Sequence, residues 1–290
     1  MNSPKEILRL MRPHQWLKNG FVLIGPFFAH AWHDGSVVNA VLLSVAAFCL
    51  MSSAVYVVND LFDIKADQRH PTKRLRPLAS GTVSVSFAVI LAVVLFVSAM
   101  SAAWLASPTV AMIITFYLLL NLAYSWRLKK VVILDVFIIA AGFMLRILAG
   151  TTGIGIEPSS WLLLTGLMVT LFLGFSKRRS ELAVMEHSGE TSRAVLKNYS
   201  LPMLDLMIGV CSAGVVMAYS LYTMSAETIA VHHTDKLVYT VPFVLYGLFR
   251  YLYRTFADDL GEDPARDLLR DPHLLLTVVG WALVTLWLFQ

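Results

Sequence analysis

Four oxygen-bearing side chains, Asn59, Asp60, Asp63 and Asp67, stand at helical spacing at the head of the stretch NDLFDIKADQRHPTKRLRP, residues 59 to 77. Asn59, Asp63 and Asp67 recur every four residues and Asp60 precedes Asp63 by three, so on a helix all four share about half of one surface. Carboxylates crowded in this way at the edge of an apolar segment repel one another and resist ionisation. A divalent cation removes the conflict, and Mg²⁺ takes one or two carboxylates while substrate phosphates and waters complete its octahedron. The competing account is a solvated loop after a capped helix end. Directly behind the carboxylates come His70, Pro71, Lys73, Arg74, Arg76 and Pro77. The prolines stiffen the backbone, and the three cations stand where they reach phosphate oxygens held by a metal. Basic loops at a membrane edge are common in any case. Carboxylates and cations side by side nevertheless read as a site for a metal diphosphate.

Two later stretches repeat the theme. In YSWRLKKVVILD, Tyr124 closes one apolar run, Lys129 and Lys130 follow, and Asp135 enters the next. Arg146 lies eleven residues on, within about 20° of the same helix face but about 16 Å further along it. An aspartate and an arginine inside an apolar span are expensive and line a cavity or pair with a partner. At that separation Asp135 and Arg146 cannot pair with each other. In GFSKRRSEL, Lys177, Arg178 and Arg179 end a span and Glu181 stands just beyond it. Together the three basic stretches imply one cytoplasmic vestibule with acids on one side and cations on the others.

The elements that must carry these groups follow from composition. Of 290 residues 57% are hydrophobic and only 14% charged, against roughly 25% charged in soluble domains, which places the chain in a bilayer. Nine apolar spans are expected, at about 16–33, 36–58, 84–105, 109–125, 133–151, 159–176, 204–225, 237–253 and 273–290. The run from Thr82 to Trp126 holds no Asp, Glu, Lys, Arg or His and exceeds one bilayer thickness, so it must fold back, at Ala106–Pro108. A secretory signal peptide is the competing account of the first span, but the polarity of RPHQWLKN interrupts it.

Lys5, Arg9, Arg12 and Lys18 precede or open span 1, and Lys65, Arg69, Lys73, Arg74 and Arg76 separate spans 2 and 3. Arg127, Lys129 and Lys130 separate spans 4 and 5, and Lys177, Arg178, Arg179, Arg193 and Lys197 separate spans 6 and 7. With Arg250, Arg254, Arg266 and Arg270 between spans 8 and 9, 21 of the 23 Lys and Arg fall on one side. The positive-inside rule then sets the N-terminus and the site in the cytoplasm and the C-terminus outside. The net charge of +4 follows from that bias rather than from a nucleic-acid surface, and Cys49 and Cys211 sit singly in apolar spans, with no disulfide or metal pattern.

The stretch NDLFDIKADQRHP resembles the NDxxDxxxD motif of the UbiA superfamily of intramembrane prenyltransferases. The resemblance extends over nearly the whole chain and implies a single all-α domain over 1–290, with nine transmembrane helices around a central cavity open to the cytoplasm. Members of the family bind Mg²⁺ and a prenyl diphosphate at this motif and alkylate an aromatic acceptor. They carry a second aspartate-rich motif between spans 6 and 7, where this chain has SKRRSEL. That departure removes the support for a second metal and implies an anion site. RPHQWLKN, NDLFDIKADQRHPTKRLRP, YSWRLKKVVILD, GFMLRILAG and SKRRSEL, in this order, are instead similar to the polyprenyl-phosphate (decaprenyl-phosphate) phosphoribosyltransferase branch, with Ser176 where that branch has glycine.

This branch implies transfer of 5-phosphoribose from phosphoribosyl pyrophosphate to a polyprenyl phosphate in the inner membrane, a first step toward lipid-linked sugars such as an arabinose donor for cell-wall arabinan. Asn59, Asp60 and Asp63 are the implied metal ligands, and with Asp67 they form the catalytic group. Lys18, Lys73 and Arg74 are implied around the donor phosphates, with Tyr56, Arg76 and Tyr124 as further substrate-binding residues; Lys129, Arg146, Lys177 and Arg178 are implied around the sugar 5-phosphate and the lipid phosphate. Asp135 and Glu181 would orient cations or ribose hydroxyls. The rivals are an aromatic-acceptor prenyltransferase of the same fold and a transporter or lipid carrier using Asp135 and Arg146 as a relay. The first is disfavoured by SKRRSEL and the second by the metal-like spacing at Asn59. Self-association into a homo-oligomer is compatible with this reading. The run GTTGIG, the pair His232 and His233, Gly142 and Ala149, and the aromatic YGLFRYLYR are attributed to loops, close packing and an interfacial belt.

Overall fold

A computed structural model describes residues 3–70, 72–188, 194–257 and 270–289; Pro71, Arg193 and Arg266 lie outside them. The described residues are all-helical, with no strand among them. The chain divides into two compact units: residues 1–126 with 145–158, and residues 127–144 with 159–290.

The first unit holds α1 (Pro4–Met11), α2 (Ile24–Phe28), α3 (Gly35–Asp67), α4 (Val85–Ala106) and α5 (Pro108–Trp126). It also takes the last turn of α6 (Leu134–Ala149). Helices α3 and α4 pack along their length because α4 turns a stripe of small residues, Ala88, Ala92, Ala99 and Ala103, into the contact, which lets two backbones approach closely where no hydrophobic force acts. The fold-back expected at Ala106–Pro108 is present. Helix α4 ends at Ala106, Pro108 opens α5 at a position where its missing N–H is not needed, and Ser107 Oγ accepts from the Val110 N–H at 3.0 Å.

The segment expected as span 1 is not one α-helix. It runs as a 3₁₀ stretch (Pro13–Leu23), then α2, then a second 3₁₀ turn (Ala31–His33). Pro13 and Pro26 each remove a backbone donor, and the backbone also passes very close to its neighbour, where only glycine fits. A Cβ on Gly150 would fall 1.8 Å from Val22 O, and one on Gly25 2.1 Å from Thr151 Cγ2.

The second unit holds the start of α6, then α7 (Ser160–Ser188), α8 (Leu201–Met224), α9 (Ala226–His232), α10 (Val241–Ala257) and α11 (Pro272–Leu288). Its core joins Val136 and Ala140 of α6, Leu171, Phe172 and Phe175 of α7, and Leu204, Ile208 and Cys211 of α8. Among the described residues six helices, α3 to α8, are long and apolar enough to cross a membrane, α6 together with its following turn to Ile154. Helix α11 is apolar but has 17 residues, about 26 Å. The polar ends outrun the expected spans. Helix α3 continues to Asp67 and α7 to Ser188, so Lys177, Arg178, Arg179 and Glu181, expected in a loop, are helical. SKRRSELAVMEH contains no glycine or proline to stop the helix and many strong helix formers.

Candidate active site

At its C-terminal end, α3 carries all four motif residues on one helix, as the spacing requires. Their crowding is relieved by arginines. Arg76 Nη1 donates to Asp67 Oδ2 at 2.7 Å and to Asp60 Oδ1 at 3.2 Å, and Arg12 Nη2 donates to the same Asp60 oxygen at 2.6 Å. Both carboxylates are buried. Arg12 also lies over the Tyr56 ring, 4.9 Å from its centroid. Asn59 Oδ1 accepts from Ser125 Oγ of α5 at 2.9 Å. Asp63, half-buried one turn after Asn59, has no guanidinium partner among the described residues. Lys73 and Arg74 are exposed in the 3₁₀ turn Lys73–Leu75, whose start is fixed by the Lys73 N–H donating to His70 Nδ1 at 3.4 Å.

Arg12 is presented by a strained bend. It closes α1 in the left-handed conformation, φ 55° and ψ 58°, directly before Pro13, where a residue is pushed toward extended backbone. The bend is fixed from α3: Ser53 Oγ donates to Met11 O at 2.9 Å and accepts from Trp16 Nε1 at 3.0 Å. Strain of this kind, about 1–3 kcal/mol per residue, persists where surrounding structure over-determines it.

Among the described residues no three His, Cys, Asp or Glu side chains converge as a cage for a metal ion. Mg²⁺ does not need one, since it keeps waters and substrate phosphates and draws one or two carboxylates from the protein. The Asp63 carboxylate and the Asn59 amide oxygen, one turn apart, are hard oxygen donors that fit this use.

Arg146 stands apart from the motif in the same unit. Its Nε donates to Asn19 Oδ1 at 2.8 Å and its Nη2 to Tyr117 Oη at 3.2 Å, and its guanidinium lies 5.2 Å from the Phe48 ring centroid. Phe48 precedes Asn59 by eleven residues on α3, about 16 Å along the axis, so Arg146 sits at a different depth from the carboxylates. Lys18 is half-buried on the 3₁₀ stretch that also carries Asn19, and Tyr124 is half-buried near the end of α5.

In the second unit Asp135 and Arg178 are both sealed from solvent, with Arg178 Nε donating to Asp135 Oδ2 at 2.7 Å. Arg178 Nη1 donates to Glu181 Oε2 at 2.5 Å. Tyr199 completes the cluster: its hydroxyl donates to Asp135 Oδ1 at 2.7 Å and accepts from the Ile133 N–H, also at 2.7 Å. Burial, and then the bond to Asp135, push the Tyr199 phenol well above its ordinary range, so it stays protonated and keeps donating. Ile133 has φ +68°, an outlier for a β-branched residue. Through it the cluster fixes the turn Leu128–Lys130, which carries Lys129 and packs on the turn Ala194–Asn198. Lys177 is half-buried beside Arg178, while Arg179 is tied by its Nε to Asp205 Oδ1 at 2.7 Å and by its Nη1 to Thr255 O at 3.2 Å.

The chain also matches known proteins. Residues 20–270 match the UbiA prenyltransferase family. The chain belongs to that family. It is 33% identical over 289 residues to a decaprenyl-phosphate phosphoribosyltransferase of Corynebacterium glutamicum, covering 97% of this chain and 85% of that protein. It is 32% identical over 279 residues to the protein of the same name from Mycobacterium tuberculosis, covering 95% and 91%. Its fold is that of a UbiA homolog from Archaeoglobus fulgidus solved with GPP and Mg²⁺, with a TM-score of 0.71 at 18% identity over 96% of this chain and 98% of that one. As a UbiA member with several membrane-length helices, it is a multi-pass membrane protein.

Arg12, Asn19, Tyr117 and Tyr199 were not among the residues expected at the site. Arg12 and Asn19 lie within RPHQWLKN, whose polarity in an apolar run was the available signal. Tyr117 and Tyr199 give no local signal, because each acts on a charge 29 or 64 residues away in sequence.

Proposed function

We propose that this chain transfers 5-phosphoribose from phosphoribosyl pyrophosphate to a polyprenyl phosphate, releasing diphosphate, with Mg²⁺ bound at Asn59 and Asp63. The observation that carries this is its 33% identity over 97% of the chain to a protein named for that activity. The run SKRRSEL of α7 adds to it, placing cations where an aromatic prenyltransferase of this fold carries aspartates. We place the site at the cytoplasmic face of the inner membrane, with nine spans, the N-terminus inside and the C-terminus outside.

A metal held by Asn59 and Asp63 would supply charge neutralisation for the leaving diphosphate. Lys73, Arg74 and Lys18 bind donor phosphates, and Tyr56 and Tyr124 bound the donor. Lys129, Lys177 and Arg146 are assigned to the 5-phosphate and lipid phosphate, while Arg178, already shared by Asp135 and Glu181, holds Glu181 for the ribose hydroxyls. The C1–oxygen bond to diphosphate breaks with its electron pair leaving on diphosphate, and a lipid phosphate oxygen forms the new bond to C1. That oxygen is already anionic at neutral pH, so no residue need remove a proton, and positioning and electrostatics supply the rate. A diphosphate, a 5-phosphate and a lipid phosphate bring more anionic charge to be neutralised than an aromatic acceptor and its prenyl diphosphate donor do.

Purified protein given labelled phosphoribosyl pyrophosphate, Mg²⁺ and decaprenyl phosphate should move label into the lipid phase. Label confined to water, with turnover of a prenyl diphosphate and an aromatic acid, refutes the assignment.

A further inference from the structure

We propose that the oxygen-bearing residues of the α3 motif divide into two jobs: Asn59 and Asp63 face the metal, whereas Asp60 and Asp67 aim Arg12 and Arg76 at the phosphates of the donor. This rests on the reaction proposed above and makes Arg12 a substrate-binding residue contributed by the N-terminal bend. It makes Asp60 a positioning residue rather than a metal ligand.

Three observations support the division. The carboxylates and guanidiniums form a closed set, with Asp60 between Arg12 and Arg76 and Asp67 on Arg76 at 2.6, 3.2 and 2.7 Å. Two negative charges are thereby balanced by two positive ones, so a metal drawn to Asp60 would share a carboxylate already neutralised through its Oδ1 by Arg12 and Arg76. The exposure is also asymmetric. The side chains of Arg12 and Arg76 are 23% and 29% exposed, while those of Asp60 and Asp67 are 4% and 6%. An incoming ligand therefore meets guanidinium, backed by carboxylate, and the planar fork of arginine matches phosphate oxygens in pairs. Finally, the chain bears a left-handed residue before proline to bring Arg12 to this place. The left-handed cap itself is common, with the Arg12 N–H on Leu8 O, but it is usually glycine, and an arginine held there before proline carries strain of the kind that gathers at ligand clamps.

The division is tested on the full-length protein in detergent. Equilibrium Mn²⁺ binding, read by the electron paramagnetic resonance of free Mn²⁺ without donor present, should weaken at least tenfold in Asp63→Asn and stay within about twofold in Asp60→Asn. In turnover, Arg12→Lys and Asp60→Asn should raise the KM for phosphoribosyl pyrophosphate tenfold or more and leave the KM for lipid phosphate within about twofold, because lysine keeps the charge but loses the fork. Mn²⁺ loss in Asp60→Asn equal to that in Asp63→Asn overturns the division, as does an unchanged donor KM in Arg12→Lys. A wild-type protein that never consumes phosphoribosyl pyrophosphate refutes the proposed reaction instead, while the Mn²⁺ comparison still reports on Asp60.

Discussion

Replacing Arg178 by glutamine separates a structural ion pair from a substrate clamp. Arg178 and Asp135 are 1% and 0% exposed and 2.7 Å apart, so the substitution leaves a carboxylate buried with Tyr199 as the remaining donor seen on it. Breaking a buried pair from one side costs about 3–5 kcal/mol, because the remaining charge is uncompensated. Glu181 adds less, since its side chain is 15% exposed and can turn to water. At about 2–4 °C per kcal/mol, the midpoint of thermal unfolding in detergent should fall on the order of 10 °C. The double variant Asp135→Asn, Arg178→Gln removes both charges and should recover much of that loss, so the two substitutions are strongly non-additive. A different outcome refutes the reasoning: if Arg178→Gln melts with the wild type while its KM for lipid phosphate rises tenfold, the guanidinium serves the substrate and Asp135 is satisfied without it.

The remaining predictions concern single groups. Asp63→Ala should abolish transfer, with the elution volume and melting midpoint of the wild type, because Asp63 is the motif carboxylate left without an arginine; residual turnover above one-hundredth would remove it from the metal site. Tyr199→Phe deletes the donor to Asp135 and the acceptor for the Ile133 N–H, a loss of about 1–3 kcal/mol for each buried group left unmade. Amide exchange at Ile133 should accelerate, and the KM for an anionic substrate that contacts Lys129 should rise as its turn loosens. Asp271 caps α11 and is held below the ordinary carboxylate range first by its hydrogen bonds from Arg250. A lowered native value means that this contribution is complete above about pH 4 and is lost as pH falls through the native value. The melting difference between wild type and Asp271→Asn should therefore be constant from pH 7 to about pH 5 and shrink only in stronger acid.

How much of this was legible beforehand depends on the range over which each feature is determined. The fold-back at Ala106–Pro108 and the helical face shared by Asn59, Asp60, Asp63 and Asp67 are local consequences of proline chemistry and of 3.6-residue periodicity, and both appear as expected. The first span broke up partly for a local reason, the prolines Pro13 and Pro26 that its own sequence shows, whereas the close approach of Gly25 to Gly150, 125 positions apart, is contained in no window of sequence. The same limit governs the site. The crowded carboxylates of Asp60, Asp63 and Asp67 were readable as a charge problem that calls for a cation, and arginines answer it at Asp60 and Asp67. Local spacing could not tell whether that cation is a metal or a guanidinium. Arg76, sixteen residues from Asp60, and Arg12, forty-eight residues away, supply two of the charges that the spacing alone would have left to the metal. A motif can therefore be read correctly as an anionic cluster while its members hold different partners, and the partition among them appears only once the chain has brought its distant cations back.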